Sequence, residues 1–141
     1  MSPIVGGFAE EAGAAFDPIW LTVEEVVALH ERQIARFGGR PGIRDRGGLE
    51  SALGRARNKW EYESCDLATL AAAHVFGIAR NRPFVEGNER AAFVAMMLFL
   101  RKNGVPFAPP PAEATRIVID LAAGSVSEES LARWIRDRRP M

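Results

Sequence analysis

The chain has 141 residues, 48% of them hydrophobic and 26% charged, which is the composition of one water-soluble domain with a single core. Eighteen basic residues balance eighteen acidic ones; this argues against a generally basic nucleic-acid surface, and no apolar run approaches the length that crosses a bilayer. Cys65 is the sole cysteine, so an intramolecular disulfide is excluded and a reducing cytoplasm is the expected location.

Residues 1–17 are rich in Gly and Ala without a clean period and read as an N-terminal extension ahead of a domain over 18–141. With Glu10 and Glu11 and no basic stretch, the start does not read as a signal peptide. The first helix is predicted from Thr22, whose spacing to Glu25 is that of a capping box. Val23, Val26, Val27, His30, Ile34 and Phe37 form its apolar face, and Gly38-Gly39 stops it. His30 on that face reads as a partly buried structural histidine. Asp45 starts a second helix with Leu49, Ala52, Leu53 and Ala56 on one face. Asn58 to Cys65 breaks that period and carries Trp60 and Tyr62. Asp66 is an N-cap for a third helix that buries Leu70, Ala71, His74, Val75 and Ile78. His74 reads as a core or interhelix histidine, with proton chemistry as the alternative.

A fourth helix, about Asn88 to Asn103, is apolar on nearly every side and is predicted to be the central buried helix, with Met96 and Met97 as core filler. Gly104 ends it, and Pro106, Pro109, Pro110 and Pro111 keep the next loop from becoming helix. A fifth helix carries Ala114, Ile117, Val118 and Leu121 up to Gly124. A sixth starts near Ser127 and buries Leu131, Trp134 and Ile135. Arg136, Arg138 and Arg139 sit at its C-terminal end, where positive charge suits the helix dipole; a solvated end is expected there, and an acidic partner is the alternative. The fold class is therefore all-α, about six helices around a central one.

The stretch between the third and fourth helices reads Asn81-Arg82-Pro83-Phe84-Val85-Glu86-Gly87-Asn88-Glu89-Arg90. Pro83 ends one helix, Gly87 permits a positive-φ turn, and Asn88 can cap the next helix. A glycine turn feeding a helix leaves free N–H groups at the positive end of the dipole, which is an anion site, and phosphate is its usual occupant. Arg90 could clamp that phosphate with two donors, and Glu86 could hold a hard cation such as Mg²⁺. The same residues also fit a capped loop before a core helix, a common use of glycine turns.

Residues 82 to 90 resemble the signature of the Fic/Doc superfamily, His-Pro-Phe-x-(Asp/Glu)-Gly-Asn-(Gly/Lys)-Arg. The flanking Ile78-Ala79-Arg80-Asn81 and Leu98-Phe99-Leu100-Arg101-Lys102-Asn103-Gly104 resemble its Doc, or death-on-curing, branch. So do His30, Phe37-Gly38-Gly39, Pro41-Gly42-Ile43-Arg44-Asp45 and Leu49-Glu50-Ser51-Ala52-Leu53. The likeness runs from about Trp20 to Trp134, and a match in several parts is more specific than a lone short motif. Two departures fall inside the signature: Arg82 stands where the family has its catalytic His, and Glu89 where the Doc branch has Lys.

The resemblance implies a nucleotide such as ATP as donor, with transfer of its AMP part or its terminal phosphoryl group to a hydroxyl of a protein target. It implies Mg²⁺ on Glu86, and phosphates on Gly87, Asn88, Glu89 and Arg90. It also implies a short flap beside the active-site turn, where targets dock, at the position of Trp60 and Tyr62; the alternative is a surface loop with its aromatics packed on the core. In the Doc branch the target is a translation factor, and an antitoxin is the partner. The resemblance implies that the motif His is the general base for the target hydroxyl; a guanidinium keeps its proton at any physiological pH, so Arg82 cannot inherit that role. Loss of a general base typically costs about 10²–10⁴-fold. Three readings follow, in order: a Doc-type toxin in weakened form; a catalytically dead module that binds nucleotide or a partner; and a different transfer whose substrate needs no external base.

Overall fold

A computed structural model describes residues 17–138. The extension expected over residues 1–17 lies outside the described residues except for Asp17, as does Arg139.

Among the described residues there are six helices: α1 (Val23–Phe37), α2 (Arg46–Tyr62), α3 (Leu67–Asn81), α4 (Asn88–Lys102), α5 (Pro111–Ala123) and α6 (Glu128–Asp137). One isolated antiparallel bridge, Ile43 to Phe84, is the sole β pairing among them. Four helices start on a side-chain cap. The Thr22 hydroxyl accepts the Glu25 N–H while Glu25 returns a bond to Thr22, and Asp45, Asp66 and Ser127 accept the amides of Gly48, Thr69 and Ser130. Each cap satisfies an N–H that the helix itself leaves unpaired.

α3 packs against α2, α4 and α6, while α4 packs against α1, α3 and α5. The centre expected at α4 is thus shared with α3, whose Leu67, Leu70, Ala71, Val75 and Ile78 are buried with Ala91, Phe93, Met96, Phe99 and Leu100 of α4. Small residues allow this. A Cβ at Gly77 would lie 3.0 Å from the Ala52 carbonyl oxygen and 3.1 Å from the Ala52 Cα, so α2 and α3 touch nearly backbone to backbone.

The structure departs from the sequence reading at three places away from the motif. Pro111 opens α5 instead of holding a loop open; the first helical position needs no N–H and suits the fixed φ of proline. The C-terminal arginines are not merely solvated. Arg136 pairs with Asp66 at 2.7 Å and Arg138 with Glu113 at 2.5 Å, tying α6 to the starts of α3 and α5. The flap expected over Asn58 to Cys65 is the last turn of α2 and a four-residue connector. No Gly or Pro interrupts Asn58 to Tyr62, so the helix continues although its apolar period has failed. Trp60 packs partly against the core there, and Tyr62 is 86% exposed.

Candidate active site

Two segments meet at the site: the turn from Arg82 to Gly87, and the α1–α2 connector. They zip together through backbone. Arg44 and Asp45 donate N–H bonds to the Pro83 carbonyl at 2.7 and 2.9 Å, and Val85 donates to the Gly42 carbonyl at 3.0 Å. The strip beside the turn is therefore Gly42 to Asp45. Trp60 and Tyr62 sit at the far end of α2: Asn81 donates to the Gly48 carbonyl at 2.9 Å near the start of that helix, and fourteen residues more along its axis is about 21 Å.

The turn is anchored from below. Phe84 is 1% exposed and stacks on the His30 ring at 3.9 Å between centroids, 5° from parallel. His30 Nε2 lies 2.7 Å from the Glu86 carbonyl; a carbonyl only accepts, so that nitrogen carries the proton. His30 is 1% exposed, more deeply buried than expected, and it supports the motif. Asn88 is not the cap predicted for it. Gly87 is the N-cap, at φ 78° and with no side-chain bond to the helix start. The Asn88 amide instead accepts the Phe84 N–H at 2.9 Å and donates to the Phe84 carbonyl at 3.0 Å. Its side chain, 1% exposed, is committed to the Phe84 backbone, and its backbone N–H remains for an anion.

That engagement leaves the start of α4 open. The first bond within the helix runs from the Ala91 N–H to the Gly87 carbonyl, so the amides of Gly87, Asn88, Glu89 and Arg90 have no acceptor in their own helix. α4 is the one helix in the described chain that begins with neither a capping side chain nor a proline. The Arg90 guanidinium rests over the Phe37 ring, 5.5 Å from its centroid, and makes one long bond, 3.4 Å, to the Gly38 carbonyl.

Glu86 Oε1 accepts the Arg40 N–H at 2.6 Å and faces the Arg40 side chain at 3.7 Å. Oε2 is free among the described residues. No group of three His, Cys, Asp or Glu side chains able to hold a metal occurs among them. One free carboxylate oxygen still fits Mg²⁺, an ion often bound by one or two carboxylates with substrate phosphates and water completing its shell.

Arg82 closes α3 in the left-handed region, φ 47° and ψ 58°, the one non-glycine residue with positive φ in the described chain. Pro83 behind it excludes ordinary helix. The Arg44 guanidinium fixes this bend, donating to the Arg82 carbonyl from both Nε and Nη2 and to the Asn81 carbonyl at 3.2 Å. The Arg82 side chain crosses the turn to Glu89, Nη1 to Oε2 at 2.7 Å. The two residues that depart from the Fic/Doc signature are thus partners in one ion pair.

His74, the other histidine, is remote from this turn. Its Nδ1 donates to the Leu70 carbonyl at 2.8 Å, and its ring packs on Phe99 and Trp20. Burial pushes its pKa down to about 4, so it is neutral at physiological pH. Burial likewise pushes the Cys65 thiol up to about 11, which makes it a poor nucleophile. The sequence reading passed over Arg40 and Arg44 as site residues. Both lie some forty positions before the motif, and only the folded connector brings them to it.

An open helix start behind a Pro-Phe-x-Glu-Gly-Asn turn, buttressed by a histidine of the first helix, defines the class. The chain belongs to the Fic/Doc family: a model of the Fic/DOC family matches residues 20–100. Within that family it falls in the Doc branch. It is 36% identical over 117 residues to the protein named protein kinase Doc of Escherichia phage P1, an alignment covering 82% of this chain and 92% of that protein. It is 40% identical over 76 residues to Toxin Doc of Mycolicibacterium smegmatis, covering 51% of this chain and 57% of that protein.

Proposed function

We propose that this chain is a Doc-like toxin that binds a nucleotide across the start of α4 and whose transfer to protein hydroxyls is strongly weakened. The observation that carries this reading is the Arg82–Glu89 pair, 2.7 Å across an otherwise intact motif turn. The open amides of Gly87 to Arg90, with the lightly held Arg90 guanidinium, receive the donor phosphates. The name of the phage relative, a protein kinase, supports a phosphoryl group as the cargo and ATP as the donor; AMP transfer is the other product the scaffold allows. Mg²⁺ on Glu86 would neutralise charge on the phosphates.

What the chain's own residues lack is a proton acceptor at position 82. A hydroxyl keeps its proton at neutral pH, and a guanidinium does not take one. Positioning by the turn remains, and base catalysis is lost. Glu89 places a carboxylate, paired with Arg82, beside the phosphates where the Doc branch has a cation. The partners in this reading are a cytoplasmic protein target and an antitoxin. Because Arg82 and Glu89 answer each other, a second reading stands beside the first: a nucleotide- or partner-binding module with no transfer at all.

The test is Arg82→His, alone and with Glu89→Lys. Phosphorylation or nucleotidylation of Ser, Thr or Tyr in a bacterial extract should rise about 10²–10⁴-fold over the unchanged chain, highest in the double variant, and induced expression should then arrest growth. Hydroxyl labelling as strong in the unchanged chain as in both variants would contradict the lost-base reading. Silence in both variants, despite nucleotide binding, would favour the binding module.

A further inference from the structure

The Arg82 guanidinium uses few of its donors. Nη1 is bound to Glu89 Oε2, while Nη2 and Nε have no partner among the described residues. The side chain is 54% exposed, whereas that of Glu89 is 19% exposed and fixed in the first turn of α4. Arg44 holds the backbone beneath. The result is a planar fork, anchored at one nitrogen, with a free pair of donors at the position where the family's base would meet the acceptor.

A fork of this kind is the ordinary receptor for a carboxylate, which it binds with two parallel N–H bonds; Glu89 already shows that a carboxylate fits this guanidinium. A carboxylate, with a pKa near 4, has also lost its proton at neutral pH. Such an acceptor needs no base. The absent imidazole and the present guanidinium then have one explanation.

We propose, resting on the nucleotide-binding reading above, that the acceptor of this site is a protein carboxylate, the side chain of Asp or Glu or a chain terminus, seated on Arg82. A carboxylate oxygen attacks the donor phosphorus. A new P–O bond forms as the bond to the leaving group breaks, and the electron pair departs with ADP (attack at the terminal phosphorus) or pyrophosphate (attack at the α phosphorus). The product is an acyl phosphate or acyl adenylate, and no proton moves. Glu89 is a positioning residue that orients the fork.

The linkage formed is the readout. The full chain is incubated with desalted bacterial extract, Mg²⁺ and ATP labelled at the γ or, in a parallel arm, the α phosphorus. Neutral hydroxylamine cleaves mixed anhydrides and spares phosphoesters; ATP binding is measured on the same preparation by calorimetry. The unchanged chain should give protein label that hydroxylamine releases, from whichever phosphorus is transferred. Arg82→Lys keeps the charge but not the fork and should lower that label about tenfold. Arg82→His should shift the label to a form that hydroxylamine does not release. Hydroxylamine-stable label from the unchanged chain overturns the proposal, as does the absence of label from a chain that binds ATP. A chain that binds no ATP removes the nucleotide reading and this inference with it.

Discussion

At the scale of single residues, the proposed loss of base catalysis rests on position 82, where the scaffold around the substitution is intact. An arginine is accommodated there because its side chain leaves the turn half exposed and pairs with Glu89. The pairing was not legible in the sequence. Seven positions separate the two residues, and only the left-handed bend at Arg82 and the start of α4 bring them within 2.7 Å. His30 is a similar case: its place on an apolar face was legible, but its bond to the Glu86 carbonyl joins residues 56 apart. His74 makes a separate prediction. Its folded pKa, about 4, lies below the ordinary histidine value of 6.5. The unfolded chain therefore binds the proton first as pH falls, so the stability that neutral His74 secures is present above 6.5 and drains between 6.5 and 4. The slope approaches 1.4 kcal/mol per pH unit, about 3 kcal/mol in all. Urea unfolding at pH 7.5 and 4.5 reads this, and His74→Phe should flatten the difference. An equal loss in the variant would place the titration elsewhere. Glu25 and Asp66, held low by their bonds to Lys102 and Arg136 against the cost of burial, contribute their losses at still lower pH.

At the scale of elements, helix starts were the legible part. Thr22, Asp45, Asp66 and Ser127 cap by bonds to amides three residues on, a purely local relation that spacing reveals. The end of α2 was not legible, because nothing in Asn58 to Tyr62 breaks a helix and only packing decides. Asn88 looked like a cap since its residue type suits one, yet tertiary structure gives its amide to Phe84. Asn88→Ala should thus act on the turn rather than on α4. It strands a buried N–H and a buried carbonyl, at about 2–4 kcal/mol, and should loosen the motif, seen as faster exchange of the Phe84 amide hydrogen. A loss below about 1 kcal/mol, within the range of an ordinary surface change or weak cap, would mean that the Phe84 bonds are replaced by water. Gly77→Ala weighs two effects against each other. Helix propensity favours alanine by about 1 kcal/mol. The new methyl, however, would press on the Ala52 backbone at 3.0 Å, and overpacking costs about 1–3 kcal/mol. Backbone yields less than a side chain, so the variant should melt below the parent; a higher melting point would show that α2 moves away freely.

At the scale of the whole molecule, the six helices place the α4 start, the α1–α2 connector and the α3 end at one spot, held by α1 on one side and α2 on the other. The all-α class follows from the helical periods of the sequence, whereas the centre expected at α4 alone is shared with α3. What the period cannot give is which connector faces the motif, and that connector is Gly42 to Asp45 rather than the end of α2. Charge pairs across elements, Lys102 with Glu25 and Arg55 with Glu128, help fix that arrangement. The central claim is that this assembly still binds a nucleotide at the open start of α4. Calorimetric titration of ATP with Mg²⁺ into the unchanged chain and into Arg90→Ala tests it most directly. The account predicts saturable binding by the unchanged chain and affinity about tenfold or more weaker in the variant, with Arg133→Ala, an exposed arginine of α6, as the unaffected control. No binding by the unchanged chain, or equal affinity in all three, would contradict it.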